Sequence, residues 1–324
     1  MKRFKNILFV VNSEAKDSDA FERAVTLAQS NQAQLTVVSI LEELPKWGSE
    51  NIHGMSLSEL QDAIMNKSQL QLKTMVSSMG KKLQINSKVL TGVAFLAIIR
   101  EVLKQKIDLV IKSAEEKEGF MDKLFASSDM HLLRKCPCPV WLIKPSRQGH
   151  YRKIMAAVDF DPFENKSEDY VINRQILEMS KALALSDFSE LHIIHVWHAY
   201  GESSMRSGLV PQPEAYIKDY ADRIHAKHQY LLDKLVSEIV DKGAQEVADY
   251  LKPKIHLIKG FARDMIPELV KEEQIDLIIM GTIGRTGIPG FLMGNTAETV
   301  LNRIDCSVLA VKPEGFVTPV KLEE

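Results

Sequence analysis

The chain repeats itself, and the length of this repeat constrains the fold more than any other feature. Lys88–Gly92 matches His256–Gly260, and Cys138–Pro145 matches Cys306–Pro313, both at an offset of 168 residues. Toward the amino terminus the offset falls to 156 and then to 147, which indicates insertions of 9 and 12 residues in the second copy. A unit of this length is a whole domain rather than a solenoid repeat. We therefore predict two tandem domains, residues 1–147 and 148–324.

Short apolar runs alternate with amphipathic stretches in each copy, a pattern typical of a parallel sheet with helices on both faces. In the second copy the predicted strands are Ile154–Val158, Leu191–Val196, Ile255–Ile258, Leu277–Met280 and Val308–Val311. The predicted helices between them are Glu168–Leu185, Glu214–Asp241, Arg263–Glu273 and Thr296–Arg303. We expect each domain to be a five-stranded, doubly wound α/β sandwich of the Rossmann-like class.

The net charge and the lengths of the apolar runs limit which partners and which cellular compartment can be expected. The net charge is −2 and the basic residues are interspersed with acids, which argues against nucleic acid or an anionic membrane as a partner. The apolar run Ile7–Val11 is too short for a secretion signal, and no run is long enough to span a membrane. We expect a cytoplasmic protein whose three cysteines are reduced and buried, and we favour this over a redox pair of Cys136 and Cys138.

The segment Ile275–Leu301 carries five glycines, at positions 281, 284, 287, 290 and 294, between a strand and a helix. Glycines allow the backbone to approach a ligand closely, and a helix start offers free N–H groups, so this pattern favours an anion cradle. The alternative is a flexible loop followed by a capping box of Asn295 and Glu298. Neither the P-loop motif nor the dinucleotide-binding glycine motif occurs in the chain.

The spacing Gly281-x2-Gly284-x9-Gly294 resembles the nucleotide loop of the universal stress protein family, in which a serine or threonine follows the last glycine. Asn295 departs from that pattern. The stretches "HLLRKCPCPVWLIK" and "GRTGIPGFLMGNTAETV" are most similar to the tandem-domain E-type branch of the family. The resemblance covers essentially the whole chain.

The resemblance implies an ATP site in the second domain, with no metal beyond a nucleotide-associated Mg²⁺. By this resemblance Asp159 contacts the adenosine and the backbone of Val196 lies beside adenine. Gly281 and Gly284 lie at the ribose and phosphates, and a phosphate-binding turn consists of Gly294, Asn295 and Thr296. Taken alone, Asp159 is also explained as a helix or turn cap, and Val196 as a core residue.

The first copy has lost this pattern. Asn12 replaces Asp159, Ser113 replaces Gly281, Glu116 replaces Gly284 and Ala126 replaces Gly294. A carboxylate about 4 Å from a phosphate costs on the order of 4 kcal/mol at an effective dielectric near 20. We therefore expect the first domain not to bind ATP.

The resemblance also implies how the two domains meet. In this family the last strands pair across a two-fold axis, so "PVWLIKP" and "SVLAVKP" are expected to pair within one chain as an internal pseudo-dimer. Whether two chains form a further homodimer is left open.

Histidines concentrate in the second copy. His225 and His228 share one face of a predicted helix, near His192, His195 and His198 along the second strand. A zinc site is conceivable there, but packing histidines are favoured, so no metal site is predicted.

The function expected from the sequence is nucleotide binding in a stress response. No nucleophile elbow, Walker lysine or paired carboxylates support an enzyme, although slow ATP hydrolysis is left open. The alternative is a carrier of small or lipid-like molecules that uses the insertion 198–216 and ignores ATP.

Overall fold

Ten strands form one continuous sheet in the computed structural model of this chain, which describes residues 4–12, 17–42, 56–78, 83–115, 125, 127–144, 150–163, 167–241, 250–283 and 293–322. In the first half the strands are β1 (Asn6–Val11), β2 (Gln34–Leu41), β3 (Ile85–Thr91), β4 (Leu109–Ser113) and β5 (Val140–Ile143). In the second half they are β6 (Lys153–Ala157), β7 (Glu190–Trp197), β8 (Lys254–Lys259), β9 (Leu277–Gly281) and β10 (Ser307–Val311).

Helices follow most strands, as the alternating pattern predicts. Those of the first half are α1 (Ser18–Asn31), α2 (Leu57–Ser78), α3 (Ala94–Gln105) and α4 (Ser127–Lys135). Those of the second half are α5 (Ser167–Asp187), α6 (Glu202–Arg206), α7 (Glu214–Val236), α8 (Ala262–Glu272) and α9 (Asn295–Leu301). Helix α7 ends in a π-helical turn, Ser237–Asp241, so the long predicted helix is continuous to its expected end.

The strand order is β3-β2-β1-β4-β5-β10-β9-β6-β7-β8, so each half has the doubly wound order 3-2-1-4-5. Neighbouring strands are parallel within each half. The two halves meet through β5 and β10, which are antiparallel with Val308 opposite Leu142. The predicted fold class and the predicted pairing of the last strands are confirmed.

Both faces of the sheet are buried, which explains why the strands read as nearly continuous apolar runs. Ile154 and Ala156 point to a core layer shared with α1, α2, α5 and α7. Met155 and Ala157 point to the opposite layer, shared with α3, α4, α8 and α9. Each layer runs through both halves, and burying one aliphatic side chain contributes about 1.5–3 kcal/mol.

Contacts between helices also join the halves. Arg23 of α1 forms a 2.7 Å salt bridge with Asp187 of α5, and its guanidinium lies 4.1 Å from the ring centroid of Tyr151. Both charged side chains are about nine-tenths buried, which makes this pair less exposed to screening than a surface pair.

The helices and the cysteines each bear on one expectation from the sequence. Among the described helices, none is long and apolar enough to cross a membrane. All three cysteines are buried and free of disulfides, with the sulfur atoms of Cys136 and Cys138 3.6 Å apart.

Candidate functional site

The strand order of the second half reverses between β6 and β9, and ligands of doubly wound sheets bind beyond the carboxyl ends of the strands at such a point. Ala157 lies opposite Met280 in the register of β6 and β9, so Asp159 and Gly281 leave neighbouring strands at the same edge. Val196 is the penultimate residue of the next strand, β7. Three residues predicted from the sequence therefore share one edge of the sheet.

A buried asparagine fixes the backbone at Asp159. The side chain of Asn173 on α5 accepts a 3.0 Å hydrogen bond from the N–H of Asp159 and donates a 2.7 Å bond to its carbonyl. The side chain of Asp159 is exposed, whereas Asn173 is buried. Because α5 begins at Ser167, eight positions later, Asp159 does not cap that helix. Sequence reasoning missed Asn173, whose signal was a polar residue on the apolar face of a helix.

Gly281 permits the close approach of α5. A Cβ atom at this position would lie 3.0 Å from Cδ1 of Ile172 and 4.0 Å from Cδ1 of Ile176. This contact is tighter than ordinary van der Waals packing. The glycine therefore has a packing role, whatever its role toward a ligand.

The residues before and after the glycine-rich segment lie side by side at the end of β9. Ile283 and Met293 form an isolated antiparallel bridge, and the N–H of Gly294 donates a 3.0 Å hydrogen bond to the carbonyl of Thr282. Gly294 therefore lies beside the end of β9, as the predicted cradle requires. Its own N–H is engaged in that bond. Gly284 lies outside the described residues.

The start of α9 differs from the capping box considered above. The N-cap is Gly294, with no side-chain hydrogen bond at the cap. The carboxylate of Glu298 instead forms an ion pair with Arg134 of the first half. The capping-box alternative is therefore wrong. Asn295 and Thr296 are both exposed, in the first turn of the helix.

A cavity of about 30 Å³ lies beside this edge, with room for about one water molecule. Val196, Trp197, His198 and Tyr200 contribute to its lining, together with Phe160 and His228. Aromatic rings fill the space behind it, since Phe160 stacks on His195 at a centroid distance of 3.9 Å. A nucleotide base does not fit inside this cavity; it can lie only across its mouth.

The two histidines singled out as metal candidates do not act together. The Nδ1 atom of His228 lies 2.8 Å from Nε2 of His195, whereas His225 contacts the ring of Trp197 at 5.2 Å between centroids. Among the described residues, a group with metal-ligand spacing is found elsewhere, at His192, His256 and Glu273. Sequence spacing could not reveal that group, because its members come from two strands and a helix end.

The same edge of the first half carries buried charges instead. Nζ of Lys112 lies 2.7 Å from Oδ1 of Asp129 and 2.6 Å from Oε1 of Glu115. Lys112 and Asp129 are both buried, and they stand 168 positions before the apolar residues Met280 and Ala297. Burial raises the pKa of Asp129, although Lys112 opposes that shift.

One further first-half equivalent of a predicted site residue is engaged in a hydrogen bond within the chain, and two others are not described by the structure. The side-chain amide of Asn12, which replaces Asp159, donates a 2.8 Å hydrogen bond to the carbonyl of Ser113. Glu116 and Ala126 lie outside the described residues.

Comparison with known proteins gives a consistent assignment. The model of the Universal stress protein family matches residues 3–144 and again residues 150–312. Universal stress protein E of Escherichia coli K12 is 27% identical over 334 residues, covering 100% of this chain and 99% of the relative. The Universal stress protein E homolog of Haemophilus influenzae is 27% identical over 317 residues, covering 96% and 98%.

Solved structures extend the similarity to the fold. A functionally unknown protein from Pseudomonas aeruginosa PAO1 has a TM-score of 0.66 at 22% identity, covering 97% of this chain and 94% of that one. A universal stress protein from Archaeoglobus fulgidus has a TM-score of 0.56 at 16% identity, covering 95% and 98%.

Proposed function

Because this chain belongs to the universal stress protein family, we propose that its second half binds an adenine nucleotide, with ATP as the expected ligand, and that its first half does not. The observation that carries this proposal is the clustering of three strand ends at the point where the strand order reverses. Asp159, Val196 and Gly281 lie on that edge, and the return of the chain at Gly294 brings the start of α9 to it.

The proposed nucleotide lies across the mouth of the cavity. The backbone of Val196 contacts the base, whose ring would rest near the exposed side chain of Tyr200. Asp159 is exposed and can accept hydrogen bonds from ribose hydroxyls. The phosphates, with Mg²⁺, lie toward the exposed residues Asn295 and Thr296 at the start of α9.

We propose that the first half has lost nucleotide binding, because charged side chains of the chain itself occupy the equivalent edge of its sheet. Asp129 and Lys112 neutralise one another within the core, and Glu115 adds a further carboxylate next to them. A nucleotide phosphate placed here would meet two carboxylates and a lysine that is already paired. Repulsion from one such carboxylate is comparable to half of the total free energy of micromolar binding, about 8 kcal/mol.

We propose a cytoplasmic role in stress resistance through ligand binding, with at most slow hydrolysis of ATP. Among those of its predicted residues that the structure describes, the site has no cluster of a nucleophile and a base. Rapid multiple turnover of ATP by the purified chain, on the order of one per second or faster and abolished by a substitution at this edge, would contradict a binding role.

The test is calorimetric titration of the full chain with Mg-ATP, for which one site per chain is expected. Asn295→Asp places a carboxylate beside the proposed phosphates, so the affinity should fall at least tenfold. Ser127→Asp is the matched control, because Ser127 is exposed at the equivalent position, the start of α4 in the first half. Two sites per chain, or equal losses in both variants, would refute the proposal.

One observation favours the carrier function as a second candidate. Leu209 and Val210 in the insertion 198–216 are adjacent large apolar side chains, and they are 81% and 57% exposed. Mass spectrometry of molecules released from the purified chain separates the two functions. An adenine nucleotide supports the first, and a stoichiometric acyl compound supports the carrier.

A further inference from the structure

A group of three polar side chains lies on the second half, at the edge of the sheet opposite the proposed nucleotide site. His192 is the third residue of β7 and His256 the third residue of β8, while Glu273 follows the last residue of α8. Ile194 lies opposite His256 in the strand register, so the two histidines are diagonal neighbours on one face. Helix α8 covers this face, with Ile266 and Leu269 in the same core layer as Ile194, and its end brings Glu273 to the pair.

The distances within this group match those between metal ligands. Nδ1 of His192 lies 3.0 Å from Nε2 of His256. One ring nitrogen of each histidine and a carboxylate oxygen of Glu273 lie within 4.8 Å of one another. Two imidazole ligands at the usual zinc–nitrogen distance in a tetrahedral site are about 3.3 Å apart. The nitrogen atoms therefore need to separate by only a few tenths of an ångström. Glu273 can close the remaining gap by rotating its half-buried side chain.

The hydrogen bonds define which nitrogen of His192 can bind a metal. Nε2 of His192 lies 3.1 Å from Oε1 of Glu190, and the same carboxylate oxygen forms an ion pair with Lys254. An ionised carboxylate only accepts, so Nε2 of His192 carries the proton and its Nδ1 presents a lone pair. A carboxylate that orients a histidine in this way is the usual support for a zinc-binding imidazole.

The tautomer of His256 can change when a metal binds. In the metal-free protein His256 donates its Nε2 proton to His192. On binding, His256 can carry that proton on Nδ1 instead, which leaves Nε2 free as a ligand without any net loss of a proton.

Charges around the group do not prevent a cation from entering. Two lysines lie close: Lys153 is 3.7 Å from Oε2 of Glu273, and Lys254 pairs with Glu190. Their side chains are 31% and 52% exposed, so each ammonium group can move into solvent. Ion pairs of this exposure are weak, so they oppose the binding of a metal to three ligands only slightly.

We propose that His192, His256 and Glu273 bind one zinc ion through two imidazole nitrogens and one carboxylate, with water in the fourth position. This donor set suits zinc and disfavours Mg²⁺ and Ca²⁺, which prefer oxygen ligands. The site is separate from the nucleotide edge, because the third residues of β7 and β8 lie near the opposite ends of these strands. The proposal does not depend on nucleotide binding.

The test uses the untagged full chain, stripped of metal by a chelator and titrated with Zn²⁺ against a chromophoric indicator. One zinc per chain is expected, with no response to Mg²⁺. Glu273→Gln should weaken zinc binding at least tenfold, since it replaces an anionic ligand with a neutral one. His256→Gln should abolish stoichiometric binding, with circular dichroism confirming that the variant is folded.

The matched control is Glu272→Gln, which removes the same charge one residue earlier from an exposed position. It should bind zinc as the unaltered chain does, and zinc should raise the melting temperature of both by stabilising the folded state. Failure of the unaltered chain to bind stoichiometric zinc would overturn the proposal. Equal affinities for Glu273→Gln and Glu272→Gln would do the same.

Discussion

At the scale of single residues, the two halves differ most at Lys112 and Asp129. Oδ1 of Asp129 accepts from Lys112, and its Oδ2 accepts a 2.9 Å hydrogen bond from the N–H of Glu115. Both carboxylate oxygens are therefore bonded, as a buried charge requires. The equivalent positions of the second half hold Met280 and Ala297 in an apolar layer. The first half thus carries an internal ion pair at the place where the second half has only packing.

We predict that Asp129→Asn destabilises the protein by about 3 kcal/mol, because it leaves the buried ammonium of Lys112 without its fully buried counter-ion. Urea denaturation monitored in the first half measures this loss. Glu178→Gln is the control, since Glu178 and Arg174 form an i,i+4 ion pair on the helix surface, where such pairs contribute little to stability. Similar losses in the two variants would contradict a special role for the buried pair.

At the scale of elements, the contact between β9 and α5 explains one glycine of the loop without a ligand. The missing Cβ of Gly281 faces Ile172 of α5, so strand and helix approach more closely than an alanine would allow. A glycine predicted from spacing to serve a nucleotide therefore also serves the packing of the sheet. The two roles can be separated by experiment.

We predict that Gly281→Ala destabilises the protein by about 1 kcal/mol through overpacking against Ile172. Ile172→Val removes Cδ1, the atom that would lie 3.0 Å from the new methyl group, so the double variant should recover part of the loss. A double-mutant cycle of unfolding free energies measures this coupling. Additive effects would show that the helix does not restrict the position.

Features that depend on residues close together in the sequence could be predicted, whereas features that depend on distant residues could not. Strands β6 to β10 and their helices follow from periodicity. The resemblance to the family assigned Asp159, Val196 and Gly281 to the site, and their places at strand ends agree with the strands read from periodicity. The capping box failed because Glu298 pairs with Arg134, a partner 164 positions away. The grouping of His192, His256 and Glu273 was missed because it depends on the register of β7 with β8 and on where α8 ends. Strand register and the end of a helix are set by tertiary structure, so the spacing of residues in the sequence does not reveal them.

At the scale of the whole molecule, the halves are joined by a buried lysine as well as by strands. Nζ of Lys312, just after β10, donates to the carbonyl of Leu133 at 2.6 Å and to Oγ1 of Thr282 at 2.6 Å. It therefore links the end of α4 in the first half to the residue that follows β9 in the second. Burial is the main cause that lowers the pKa of Lys312 to about 7.

We predict that this lysine makes stability depend on pH. Between pH 7 and about 10 the unfolded chain holds a proton on Lys312 that the folded chain lacks, so the free energy of unfolding rises with pH by about 1 kcal/mol per unit. Lys312→Met should remove this part of the slope in urea denaturation between pH 7 and 9.

Lys144→Met is the matched control for that measurement. Lys144 is the equivalent residue of the first half, but its side chain is 34% exposed and pairs with Asp305. It should leave the slope unchanged. A slope that Lys312→Met does not alter would mean that the buried amine keeps its proton.

The antiparallel pairing of β5 with β10 has a consequence for how such a chain can evolve. When two identical subunits pair through these strands, every substitution appears on both sides of the interface. A covalent tandem fixes the partner at a high effective concentration and frees each copy to change alone. One copy can then exchange a ligand pocket for an internal ion pair while it continues to cover the other copy's edge. The two copies of the domain can therefore take on different roles while they remain parts of one chain.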